Sequence, residues 1–168
     1  MNLMMDQIFK NSIYKYLIQT QSLFGDVLYT EKENTNDSFC KSGNVNSDLV
    51  FIKNFSLIKE QKTIFLNILK ALNLSIDQIL IIELIDSRFK TDKNLKYLLN
   101  KLNSKFIITL GLDISQFLLN TKDSLELLRN KNNIFLNSKL IPTYSLDDIE
   151  NNPDLKKYVW NDLRKILV

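Results

Sequence analysis

The spacing of apolar residues changes along this chain, and these changes divide the sequence into three regions. In residues 1–29 apolar residues recur every three or four positions, as on one face of an amphipathic helix. Residues 30–48 are polar and rich in Asn and Ser, a composition that predicts a linker or long loop. From residue 49 onward, short apolar runs alternate with helical stripes. We therefore predict an N-terminal helix in 1–29, a polar linker at 30–48 and a folded domain at 49–168.

Within residues 49–168 the apolar runs predict strands and the stripes predict helices. The main strands are predicted at 49–52, 79–84 and 105–111, with a short strand pair at 133–135 and 138–141. Helices are predicted at 59–72, 94–102, 114–119, 124–129 and 154–167. Strands that alternate with helices favour a parallel sheet covered on both faces. The predicted fold class is α/β, a three-layer α/β/α arrangement with a mostly parallel central sheet.

Length and composition limit the kind of protein. The chain has 168 residues, of which 45% are hydrophobic and 24% charged, and this size favours one domain with a single core. No apolar run approaches the roughly 20 residues that a membrane span needs. The N-terminus lacks a basic stretch that leads into a small-residue cleavage site. We expect a cytoplasmic protein with no membrane partner.

Cysteine usage and charge argue against several chemistries. The single cysteine, Cys40, can form no internal disulfide and cannot supply the four thiolates of an iron–sulfur cluster. We therefore expect no metal and no cofactor. The 22 basic and 19 acidic residues leave a net charge of +3, whereas dedicated nucleic-acid binders concentrate basic residues in one patch. We expect direct affinity for DNA to be weak.

Two short motifs stand out in the last quarter of the chain. They are Pro142-Thr143-Tyr144-Ser145-Leu146, and Asn152-Pro153 followed by Val159-Trp160-Asn161-Asp162-Leu163. Together they resemble uracil-DNA glycosylases of the iron–sulfur type, in which a Thr-Tyr-His-Pro loop precedes an Asn-Pro-led helix that ends Val-Trp-x-Asp-Leu. The His of that loop contributes to base excision. Here Ser145 stands in its place, Leu146 replaces the Pro, and the whole chain contains no His. The chain resembles a glycosylase fold that does not excise bases.

The start of the domain departs from the same family. Its members follow the first strand with a Gly-Glu-x-Pro-Gly-type loop that approaches the flipped nucleotide. Residues 52–58 of this chain contain no Gly and no acid, and Asn54 is the one side chain there that could orient a water. Asn54, Tyr144 and Ser145 are therefore predicted to be vestigial glycosylase positions, and we expect no catalytic residue.

A second resemblance is carried by three further pieces of sequence. They are Leu49–Ile52, the unit Ile68-Leu69-Lys70-Ala71-Leu72-Asn73-Leu74-Ser75-Ile76-Asp77-Gln78-Ile79-Leu80, and the Asn152-Pro153 helix with Trp160. The middle unit resembles the Leu-Arg-Ala-Leu-x-Val-Ser-x-Asp-Gln-Val-Leu pattern of the psi-subunit family of the bacterial DNA polymerase III holoenzyme. Members of that family have a uracil-DNA glycosylase-like fold without glycosylase chemistry. Residues 18–23 also resemble the segment that precedes the domain in that family.

This resemblance implies a replication adaptor with two docking surfaces. In the psi family, the N-terminal peptide binds the clamp-loader subunits tau and gamma. The folded domain binds the chi subunit, which in turn contacts single-stranded-DNA-binding protein, so DNA is met only through the complex. The predicted clamp-loader anchors are Ile8, Phe9, Ile13, Tyr16, Leu17, Ile18 and Leu23. In the alternative interpretation these residues pack on the sheet of their own domain.

The final predicted helix offers a candidate surface for chi. Its apolar face is predicted to hold Leu155, Val159 and Leu163, with Tyr158 and Trp160 beside it. Trp160 either packs in the core, the interpretation that we favour, or faces chi, since Trp is enriched at interface hot spots. The charged residues of this helix alternate in sign, which predicts a solvated charged face. They are Asp154, Lys156, Lys157, Asp162, Arg164 and Lys165.

Two other functions stay open at this point. An active uracil-DNA glycosylase would need Asn54 to position water and Ser145 to act as a donor, and a uracil-release assay would detect it. A binding module that recognises DNA without chemistry would show salt-dependent affinity.

Overall fold

A six-stranded mixed sheet forms the centre of the domain. The computed structural model describes residues 38–55 and 59–167. The sheet order is β1-β3-β2-β4-β6-β5; neighbouring strands among β3, β2, β4 and β6 are parallel, and the two edge strands are antiparallel to their neighbours. The strands are β1 (Phe39–Gly43), β2 (Leu49–Asn54), β3 (Leu80–Leu84), β4 (Phe106–Leu110), β5 (Asn133–Phe135) and β6 (Ser138–Thr143).

Six α-helices connect these strands within the described residues. They are α1 (Lys59–Ala71), α2 (Lys93–Lys101), α3 (Leu112–Leu119), α4 (Leu125–Asn130), α5 (Leu146–Asn151) and α6 (Lys156–Leu163). Four short 3-10 helices lie at Ile76–Gln78, Ser87–Lys90, Pro153–Leu155 and Arg164–Ile166. Several helices begin at a side chain that accepts from the first turn: Asp92 caps α2, Ser124 caps α4 and Ser145 caps α5, which satisfies backbone N–H groups that have no partner inside the helix.

Each face of the sheet carries its own hydrophobic core. On one face Val50 and Ile52 pack with residues of α2 and α3. On the other face Phe51 packs with residues of α1, α5 and α6. Alternate residues of a strand point to opposite faces, so the apolar run of β2 serves both cores. The result is a helical layer on each side of a central sheet.

The predicted α/β fold with a mostly parallel central sheet is confirmed. The apolar runs at 49–52, 79–84 and 105–111 correspond to β2, β3 and β4, and the short strand pair corresponds to β5 and β6. Buried parallel strands are apolar on both faces, which is why the pattern located them. The predicted helices from 59 to 129 correspond to α1 through α4.

The predicted linker at 30–48 needs a correction. Residues 39–43 form the edge strand β1, which pairs antiparallel with β3. Phe39 enters the core on the α2 side, and the chain then turns at Gly43, with φ of +89°. The N–H of Asn44 donates to the carbonyl of Ile79 at 2.8 Å. The rest of the strand is polar or small, so its pairing depends on backbone hydrogen bonds that composition does not reveal. Residues 30–37 lie outside the described residues.

The C-terminal region also differs from prediction. The predicted helix at 154–167 is divided into a 3-10 turn, α6 and a second 3-10 turn. The short helix α5 was not predicted. It begins at a capping box, in which the Ser145 and Asp148 side chains each bond to the other residue's backbone N–H. Such reciprocal capping stabilises a short helix start.

The N-terminal helix predicted in 1–29, with its anchors, lies outside the described residues. Across 38–55 and 59–167 the structure contains no helix with the length and apolar character of a membrane span.

Candidate functional site

The carboxyl edge of the parallel sheet is the place where α/β folds usually bind ligands. The preferred position is the point where the chain changes direction across the sheet. Here β3 lies on one side of β2 and β4 lies on the other, so that point falls between β2 and β4. All three predicted vestigial positions lie at this edge, since Asn54 ends β2, and Tyr144 and Ser145 follow β6.

Asn54 and Ser145 lie at the same edge but on strands that are not neighbours. Strand β4 lies between β2 and β6, and two strand spacings amount to roughly 10 Å. Asn54 is exposed, and the following N–H, of Phe55, donates to the carbonyl of Leu84 at 2.8 Å. Residues 56–58 lie outside the described residues. The structure does not bring Asn54 and Ser145 into one hydrogen-bonded pair.

Ser145 is fully engaged in capping α5. Its hydroxyl donates to the Asp148 carboxylate at 2.7 Å and accepts from the Asp148 N–H at 3.1 Å. Its own N–H donates to the same carboxylate at 3.0 Å. Gly111 lies beside this residue, because a Cβ added to Gly111 would be in ordinary van der Waals contact with the Ser145 Cβ, at 3.5 Å. Ser145 therefore has a local structural role as the cap of α5.

The Tyr144 ring packs against the positively charged side chain of Arg129. The Arg129 guanidinium carbon lies 4.7 Å from the centre of the Tyr144 ring and 5.2 Å from that of Tyr158. The two rings are tilted against each other with centroids 6.2 Å apart. Arg129 Nη1 also donates to the Tyr144 hydroxyl at 3.4 Å, and Nη2 donates to the Tyr158 carbonyl at 3.3 Å. The ring that could stack on a base is instead held against an arginine.

The Asp162 carboxylate holds Arg129 and Thr143 together through an ion pair and a hydrogen bond. It accepts from Arg129 Nε at 2.6 Å and from the Thr143 hydroxyl at 2.8 Å. Lys165 lies 3.6 Å from its other oxygen. Asp162 is only 4% exposed, which corrects its predicted place on a solvated charged face. The buried ion pair ties α4, β6 and α6 together. We call Arg129, Tyr144, Tyr158, Asp162 and Lys165 the Arg129 cluster.

A second buried ion pair lies at the carboxyl ends of β2 and β3. Lys53, 5% exposed, pairs with Glu83, its direct neighbour in the strand register. Cys40 of β1 also faces Glu83, and its Sγ donates to Oε2 at 3.8 Å. Burial is the main cause that raises the pKa of the Cys40 thiol, and the nearby Glu83 carboxylate raises this pKa further. Cys40 is therefore a protonated thiol at neutral pH, and the charge of Lys53 is balanced within the fold.

The candidate chi-facing residues lie on the outer surface of α6. Tyr158 is 41% exposed and Trp160 is 39% exposed. Trp160 therefore lies outside the core, contrary to the interpretation that we favoured, whereas Val159 and Leu163 of the same helix are buried as predicted. Trp160 borders an open groove of about 320 Å³ between α1 and α6, which no pattern in the sequence had indicated.

Within the described ranges, no three or more His, Cys, Asp or Glu side chains are grouped as metal ligands would be. No protein-family model matches the chain, and no curated protein matches it. The resemblances set out above therefore depend on the residues quoted for them.

Proposed function

We propose that this chain is a non-catalytic accessory subunit of the bacterial DNA polymerase III holoenzyme, similar to the psi-subunit family and built on a uracil-DNA glycosylase-like fold. Residues 1–29 bind the clamp-loader subunits tau and gamma. The folded domain binds chi, and through chi it meets single-stranded-DNA-binding protein. The observation that carries the proposal is the state of Ser145, which stands in place of the glycosylase His and is bonded within the capping box of α5.

The carboxyl edge of the sheet supports a role without chemistry. General acid–base catalysis needs a titratable group within hydrogen-bond reach of the substrate. Lys53 is paired with Glu83, and the Asp148 carboxylate accepts from Ser145. Asp162 accepts from Arg129 and Thr143. These charged groups of the edge are engaged in ion pairs and hydrogen bonds within the fold.

The outer surface of α6 supports a binding role. Trp160 and Tyr158 are 39% and 41% exposed, and aromatic side chains of this kind supply much of the binding energy at protein interfaces. The Arg129 cluster holds α6 against β6 and α4, so these aromatic residues are presented on a fixed support. Residues two positions apart do not share a face of a helix, and Tyr158 packs against Arg129 and Tyr144 while Trp160 borders the groove between α1 and α6. We assign the chi interface to the flank of α6 that carries Trp160.

Two assays on the full chain test the proposed function. The first measures uracil release from single- and double-stranded DNA, with an active glycosylase as the positive control. The second is a pull-down with purified chi. We expect no uracil release and clear retention of chi. Uracil release that an Asn54→Ala variant loses would contradict the proposal and identify an active glycosylase.

A further inference from the structure

The groove between α1 and α6 is short, open and apolar. Aliphatic side chains of α1 and α6, together with Ile149 of α5, line most of it, Asn67 and Lys156 are its polar lining residues, and Trp160 borders it. The lining residues extend over 64–71 of α1 and 156–163 of α6, which corresponds to about 12 Å at 1.5 Å per residue. This length matches about two turns of a helix. The floor residues are Ile64, Ile68, Ala71, Val159 and Leu163.

The α6 side of the groove is basic. Lys156, Trp160 and Arg164 recur every four residues, so they share one face of the helix, and Lys156 itself lines the groove. Lys156 and Arg164 are exposed, and neither makes an ion pair with the part of the chain that the structure describes. Asp162, the one acid of α6, is buried in the Arg129 cluster.

The neighbouring helices carry three acids near this surface. Glu60 is one turn before Ile64 on α1, and Asp147 and Glu150 of α5 accept from the Gln61 amide at 2.6 and 2.8 Å. Among the described residues, none of these acids forms an ion pair with Lys156 or Arg164. A partner that carries acidic residues next to its apolar anchors would complement this surface.

We propose that this groove binds a short amphipathic helix of a partner protein, with large apolar side chains on one face and Asp or Glu beside them. The apolar anchors enter between α1 and α6 and cover Trp160, in the manner of helix-in-groove recognition. The acidic residues meet Lys156 and Arg164, which fixes the orientation of the helix. The inference rests on the proposed adaptor function, since it describes the contact that the chi-binding face would make.

A nucleic acid is a poorer match for the same surface. Single strands bind to aromatic platforms on which successive bases stack, along a basic track. Trp160 is the one aromatic side chain among the groove's described lining residues, and the floor is aliphatic. Among the described lining residues the polar side chains are those of Asn67 and Lys156, so most polar edges of successive bases would lose water there without gaining hydrogen bonds.

Trp160 makes the test direct, because it is the only tryptophan of the chain. The probe is a synthetic helix of about 16 residues with Leu at helical spacing and Glu elsewhere. The matched probe has Lys in place of Glu. With the full chain, we expect the acidic peptide to move Trp160 emission to shorter wavelength and to protect it from acrylamide, and we expect the basic peptide to do neither.

Charge reversal tests the role of the basic residues. Lys156→Glu combined with Arg164→Glu should weaken binding of the acidic peptide at least about tenfold. Lys101→Glu is the control, because α2 lies on the opposite face of the sheet. Equal binding of both peptides, an equal response to oligo(dT), or unchanged affinity in the doubly reversed variant would overturn the proposal.

A chi pull-down with the same variants separates this inference from the adaptor function. Loss of chi only in the Lys156/Arg164 double variant supports both. Acidic-peptide binding by a chain that does not retain chi supports the groove and overturns the adaptor function. Equal retention of chi by the normal chain and the double variant supports the adaptor function and overturns the groove as its contact.

Discussion

At the carboxyl edge of the sheet, the polar side chains described above form hydrogen bonds and ion pairs with one another. The absence of His can be read directly from the sequence, and the glycosylase resemblance is what aligns Ser145 with the family's His. The use of Ser145 as a helix cap could also be anticipated, because Ser145 and Asp148 have the spacing of a capping box. The Arg129 cluster was harder to foresee. Its one signal is that Asp162 lies three residues after Val159, and so on the apolar face of α6.

The capping role of Ser145 leads to the first prediction. Ser145→Ala should lower the free energy of unfolding by about 1 kcal/mol, because two hydrogen bonds of the α5 start are lost. Ser145→Asn should retain most of the stability, since Asn is an equally good cap. Urea unfolding followed by circular dichroism measures both. Unchanged stability in Ser145→Ala would show that the hydroxyl has another role.

The buried ion pair of the Arg129 cluster leads to a larger effect. Asp162→Ala leaves the Arg129 guanidinium without its carboxylate partner, and we expect a loss of about 3–5 kcal/mol of unfolding free energy. Asp154→Ala, at an exposed position before α6, should change stability by less than about 0.5 kcal/mol. Similar losses in the two variants, measured by the same urea unfolding, would argue against a tightly bonded Asp162.

Asp92 gives a prediction for pH. Partial burial raises the pKa of Asp92, but hydrogen bonds from the Ser38 hydroxyl and from the N–H groups of Asn94 and Ser38 outweigh it, so the pKa lies below its ordinary value. A lowered folded-state pKa adds stability at neutral pH that is lost as the pH falls through that pKa.

The test compares the normal chain with Asp92→Asn, which retains a capping side chain at the start of α2. Near pH 7 the variant should be less stable. The gap between their urea midpoints should close as the pH falls below about 4. A gap that does not change with pH would show that the charge of Asp92 contributes nothing.

At the scale of elements, the sequence predicts the central strands, which are buried on both faces of the sheet. It does not predict the edge strand β1 or the short helix α5. Strands β2, β3 and β4 each contain a run of three or more consecutive apolar residues, so these runs are visible in the sequence. Strand β1 buries Phe39 and is otherwise polar or small, and its place in the sheet is set by hydrogen bonds to β3. Helix α5 has six residues, of which only Leu146 and Ile149 are apolar, too few to show a helical stripe.

Substitution of Gly43, where the chain turns after β1, tests the position of that strand. A Cβ on Gly43 would lie 2.3 Å from the Ile79 carbonyl oxygen, and its φ is +89°. Gly43→Ala should therefore cost more than about 1 kcal/mol. Gly111→Ala is the comparison, since φ is also positive there but the nearest atom would be 3.5 Å away, and we expect a smaller loss. A larger loss at Gly111, measured by thermal unfolding, would contradict the described turn after β1.

The whole molecule is proposed to connect two partners through separate parts of one chain. A tethered apolar helix that becomes ordered on its partner loses conformational entropy, which its buried apolar anchors have to offset, and the folded domain holds the second partner at high local concentration. The docking anchors in 1–29 follow from helical spacing and from the psi-family resemblance. The groove between α1 and α6 could not be predicted, because it depends on how two helices distant in sequence lie side by side.

Bridging is tested most directly by immobilising chi and measuring capture of purified clamp loader with and without the full chain. We predict that clamp loader is captured only when the chain is present. Phe9→Asp combined with Ile13→Asp should abolish capture while the chain itself stays bound to chi. Clamp-loader capture that does not depend on the chain, or a chain that binds neither partner, would contradict the adaptor function.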